Sequence, residues 1–69
     1  MFDSEKMKLA RVRAGLDVSE LARMSGMTPT TIYRYEKGKR PRASTARAIA
    51  KALDIDVQHF LEDKYLKGA

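Results

Sequence analysis

Cysteine and tryptophan are absent from this chain, histidine occurs once and proline only twice in 69 residues. Without cysteine there is neither a disulfide framework nor a thiolate metal site. The single histidine, His59, has no partnered carboxylate at ligand spacing, so no metal centre and no cofactor are expected. Serines and threonines are accounted for as helix caps or outward-facing groups, and no glycine-rich phosphate loop exists. The expectation is a protein with no catalytic residues, not an enzyme. No apolar run approaches the length of a signal core or a membrane span, which predicts a soluble, cytoplasmic domain.

What the chain does have is charge, unevenly spread. Fourteen lysines and arginines face nine acids, a net charge of +5. Five of those bases and a single acid fall between Arg34 and Arg42, so this stretch alone holds +4 of the total. A merely solvated surface does not require such clustering, whereas a polyanionic partner does. At this length the chain is one domain, 1–69, near the size at which a single core is only marginally sufficient. Its core is expected over residues 5–62, with 63–69 as a tail.

The boundary signals divide the chain into short helices. Ser4 is a plausible cap for a helix from about Glu5 to Ala14, ended by Gly15, with Met7, Ala10 and Ala14 as its buried stripe and Leu16 dropping into the core. Asp17 followed by Glu20 is a capping-box pair that starts a second helix at Val18. Gly26 ends it by taking the left-handed conformation at no steric cost. Thr28 then caps, and Pro29 falls at the first helical position, where its missing N–H is not needed. Gly38 closes this third helix. A fourth should run from about Ser44 to Leu53, with Ala46, Ile49, Ala50 and Leu53 inward and Arg47 and Lys51 outward. Asp56 can cap a short fifth helix from Val57, in which Val57, Phe60 and Leu61 close the core. Tyr65 and Leu66 either frame a dimer contact or fray.

Leu21, Met27 and Ile32 are expected core positions, and Ala22 is small where the third helix crosses the second. Winding the third helix at about 100° per residue with Ile32 inward puts Thr28, Tyr35 and Glu36 on the inner side. Thr30, Tyr33, Arg34 and Lys37 fall outward. That outer face is polar, aromatic and basic.

The ordered set Lys8-x-Ala10-Arg11, Gly15-Leu16, Leu21-Ala22, Gly26-Met27, Thr31-Ile32, Glu36-x-Gly38-Lys39-Arg40 and Thr45 to Leu53 resembles the phage repressor and Cro type of helix-turn-helix, the xenobiotic-response-element family. The likeness covers roughly residues 7 to 61. It implies an all-α, five-helix, lambda-repressor-like domain with its helix-turn-helix at helices two and three. It also implies an ion pair between Arg11 and Glu36, which periodicity alone would leave as an exposed arginine. Two departures stand out. Many members carry glutamine, a phosphate contact, where this chain has Val18, and many read a base from the position of Pro29, which has no donor. The loop after the third helix is also about one residue shorter than the commonest spacing.

On this resemblance the partner is double-stranded DNA at the nucleoid, bound by a homodimer on a palindromic operator to regulate transcription, with repression as the expected outcome. Base reading is expected from Pro29, Thr30, Thr31, Tyr33 and Arg34, and phosphate binding from Lys37, Lys39, Arg40 and Arg42. The rival from another class is an antitoxin or adaptor whose main role is to bind a regulatory partner protein. RNA binding is disfavoured, because single-strand recognition needs more exposed aromatic platforms than this chain offers.

Overall fold

The computed structural model describes residues 2–60. Four α-helices, α1 (Ser4–Arg13), α2 (Val18–Ser25), α3 (Pro29–Glu36) and α4 (Ala43–Ala52), are followed by one 3-10 turn, Val57–Phe60. The fold is all-α, with no strand among the described residues. The expected roles of Leu61, Tyr65 and Leu66, and the end of the core at residue 62, lie outside those residues.

Each element sends one large side chain to full burial: Met7, Leu21, Ile32, Ile49 and Phe60 are all 0% exposed. Removing such groups from water is the main favourable contribution to a fold this small. Alanines fill the crossings, with Ala22, Ala46 and Ala50 buried, so that α2 and α4 approach closely. Met27 and Leu16 are half-buried against this core. The Phe60 ring meets Phe2 edge-on at 5.9 Å, and the Asp3 amide donates to the Phe60 carbonyl at 2.6 Å. The two ends of the described chain are thereby joined.

That junction moves the first cap. Asp3, held extended by its bond to Phe60, accepts from the Lys6 amide at 3.2 Å, and Ser4 is the first helical residue rather than the cap. Asp and Ser cap equally well, so the tertiary contact decides between them. Ala14 is exposed, not part of the buried stripe, because α1 ends at Arg13 and the chain turns away there. Helix α4 begins at Ala43, one residue earlier than Ser44, after the buried Pro41. The fifth element is, through Phe60, a 3-10 turn. The Asp56 carboxylate takes the Gln58 amide at 2.9 Å and the Asp56 carbonyl takes that of His59 at 3.0 Å, the i to i+3 closure of the tighter helix.

All four α-helices end alike. The N–H groups of two consecutive residues after the last turn bond back to carbonyls of that turn, and the first of the two is left-handed. Gly15, Gly26 and Gly38 occupy this position in the first three helices, and Asp54, at φ 57°, in the fourth.

Candidate nucleic-acid interface

Helix α3 is fixed at both ends and from behind. At its start the Thr28 hydroxyl accepts from the Thr31 amide at 3.3 Å, with Pro29 in the first turn. At its end Lys39 donates its amide to the Arg34 carbonyl at 3.0 Å, folding the loop back under the helix. Behind it, Arg11 reaches across from α1. Its Nε donates to Glu36 Oε2 at 2.6 Å, its Nη2 to Oε1 at 3.1 Å, and its Nη1 to the Leu16 carbonyl at 2.9 Å. The two side chains are only 13% and 6% exposed, so this two-pronged bond is shielded from water. The hydrogen bonds that Arg11 donates to Glu36 are the main cause that raises its pKa above the ordinary value, against a smaller lowering by burial. Arg11 therefore stays charged at any working pH.

Away from the core the helix is bare. Pro29, Thr30, Tyr33 and Arg34 are all exposed, Tyr33 by 54%. Thr31 is half-buried, and its hydroxyl lies 2.9 Å from that of Thr28, joining the cap. Lys37, Lys39, Arg40 and Arg42 are exposed, and the ion pair found among the described residues is Arg11 with Glu36 rather than any of these four. The third-helix face and the loop thus present one continuous run of donors and positive charge.

The neighbouring helix starts contrast with each other. At α2, Asp17 Oδ1 accepts from the Glu20 amide at 2.7 Å and Glu20 Oε1 from the Asp17 amide at 3.0 Å, a complete capping box. Val18, which follows, is 6% exposed and packs into the core, which accounts for an apolar residue at that place. At α4, Arg42 sits in the cap position and gives no side-chain cap. Lys8, which charge clustering does not single out, lines a cleft of about 380 Å³ between α1 and α3 together with Tyr33 and Lys37. Among the described residues no three His, Cys, Asp or Glu side chains gather as a metal site, and no helix is long and apolar enough to cross a membrane.

A recognition helix braced from behind, bare in front and continued by a basic loop defines a DNA-binding helix-turn-helix domain. The chain belongs to the Cro/C1-type helix-turn-helix family, whose model, described as "Helix-turn-helix", matches residues 7–60. Members of this family are DNA-binding transcriptional regulators. Two archaeal relatives share the name "Putative HTH-type transcriptional regulatory protein". That of Archaeoglobus fulgidus is 36% identical over 66 residues, covering 87% of this chain and 21% of the relative. That of Pyrobaculum aerophilum is 46% identical over 37 residues, covering 54% of this chain and 15% of the relative. The chain thus spans about a fifth or less of the length of these relatives. Among solved structures, a "hypothetical transcription factor NHTF from Neisseria" superposes with a TM-score of 0.77 at 28% identity, covering 96% of this chain and 79% of that one.

Proposed function

We propose that this chain binds double-stranded DNA sequence-specifically, as a homodimer on a palindromic operator, and represses transcription by occluding a promoter. It does so at the nucleoid in the cytoplasm, with no cofactor. The observation that carries the reading is the exposed pair Thr30 and Arg34 on a helix fixed from behind by Arg11 and Glu36. The planar fork of Arg34 can donate two hydrogen bonds to O6 and N7 of a guanine. Thr30 offers a hydroxyl to a base edge or its methyl to a thymine, and Pro29 beside it offers apolar contact only. Thr31 serves by holding the start of the helix that carries them.

Lys37, Lys39, Arg40 and Arg42 neutralise phosphates, which positions the protein and makes binding salt-dependent without specifying sequence. The test is selection of bound duplexes from a randomised pool at near-physiological salt, followed by a mass measurement of the complex. Enrichment of a palindrome with half-sites about one helical turn apart, bound by two chains, is the expected result. Weak binding blind to sequence would instead favour a role in holding a partner protein.

A further inference from the structure

Lys8 belongs to the sequence pattern of the family but has no place in the interface as drawn so far. It stands one turn before Arg11 on α1, exposed and with no ion pair among the described residues. Because Arg11 is fastened to Glu36, α1 is locked alongside α3, and the cleft between them is lined by Lys8 on one wall and by Tyr33 and Lys37 on the other. Tyr33 and Lys37 are four residues apart and so share one face of α3. At about 100° per residue that face is turned towards the Glu36 side, the side of α1, while Arg34 lies beyond it.

Of the two acids in the cleft, Glu36 is engaged through both oxygens and Asp17 through one. Glu36 is bonded to Arg11, and Asp17 to the Glu20 amide. Val18 supplies an apolar floor, and the start of α2 has two of its N–H groups taken by its own carboxylates. The donors left to meet a ligand there are two ammonium groups and a phenol, which is the donor set of a phosphate site.

We propose that Lys8, Tyr33 and Lys37 form a phosphate clamp on the flank of the recognition helix, seating one stretch of the DNA backbone in the cleft between α1 and α3. The clamp rests on the DNA-binding reading above and extends that interface onto α1. It assigns the Tyr33 hydroxyl to a phosphate oxygen and removes Tyr33 from the base readers, so specificity is concentrated in Thr30 and Arg34.

The experiment measures the salt dependence and the base preference of duplex binding for the wild type, Lys8→Ala, Tyr33→Phe and, as a control, Lys51→Ala on α4. Phosphate contacts carry no sequence, so any duplex the wild type binds will serve. Lys8→Ala should flatten the slope of log affinity against log salt by roughly 0.9, the value of one lost contact, with base preference unchanged. Lys51→Ala should leave the slope as it is. Tyr33→Phe should weaken all duplexes alike by a few-fold. A single neutral methylphosphonate at the clamped linkage should weaken the wild type but add nothing to the loss in Lys8→Ala. An unchanged slope in Lys8→Ala, or an altered preference at one base position in Tyr33→Phe, would overturn the clamp while leaving the DNA reading intact. A wild type that binds no duplex at all would overturn both.

Discussion

Helices α2 and α4 precede and follow the recognition helix in the chain and pack on each other, yet they are built to opposite standards at their ends. Helix α2 opens with a complete capping box and closes on Gly26, so both ends follow local chemistry. Helix α4 opens on an arginine with no side-chain cap and closes on Asp54 in a left-handed conformation. A positive charge at the start of a helix opposes its dipole, and a residue with a Cβ in that conformation is strained. Neither feature helps the fold, whereas the first places a cation at the edge of the exposed basic loop. A local rule broken without a compensating contact inside the molecule marks a site that is strained or used for binding; the proposed function assigns the start of α4 to binding and leaves Asp54 as strain. On the proposed reading, helix α2 is scaffold and the start of α4 is interface.

The largest expected effect tests the ion pair by which α1 braces α3. Glu36→Ala strands the Arg11 charge in a shielded site and should cost about 3 to 5 kcal/mol, read as the urea unfolding midpoint. The double change Arg11→Met with Glu36→Leu should restore most of it, since a packed apolar pair replaces the ion pair. The sign of the pH dependence follows from the direction of the Arg11 shift. A raised pKa means its contribution is complete below the ordinary guanidinium range and is lost only above it. The unfolding midpoint should therefore not fall through Arg11 between neutral and mildly alkaline pH.

The next two changes act on the helix starts and should move stability in opposite directions. Asp17→Ala removes the capping box and should cost about 1 to 2 kcal/mol, with little effect on the salt slope of DNA binding. Arg42→Asp supplies a cap and reverses an unfavourable charge, so it should stabilise by roughly 1 kcal/mol, while DNA affinity drops and its salt dependence flattens. If Arg42→Asp stabilised the domain and left binding untouched, the start of α4 would be a mere imperfection. The smallest effect belongs to the other end of that helix. Asp54→Gly should raise stability by about 0.5 to 1 kcal/mol in thermal unfolding and leave DNA binding unchanged.

What could be read from the sequence was local. Asp17 with Glu20, Thr28 with Pro29, and Gly26 each carry their boundary within four residues, and the structure places those boundaries accordingly. What could not be read depends on contacts distant in sequence. Asp3 caps α1 because its amide is held by the Phe60 carbonyl, which no pattern near Ser4 reveals. Ala14 looked inward on helical spacing but lies past the helix end. In the candidate site, the outward residues of α3 followed from winding the helix about Ile32. The hydroxyl pair of Thr28 and Thr31 did not, because it depends on rotamers at the cap. The pairing of Arg11 with Glu36 came from the family pattern, and it is that pairing which brings Lys8 beside Tyr33 and Lys37.

The central claim is a division of labour, with α3 reading bases and the loop after it only holding the backbone. It is tested most directly by titrating Arg34→Ala and Lys39→Ala against the selected site and every single-base variant of it. The account predicts that Arg34→Ala loses its preference at one base position and keeps the others, while Lys39→Ala weakens every duplex by the same factor. Equal, sequence-independent losses in both would show that Arg34 touches only phosphate, and the recognition helix would have to be sought elsewhere.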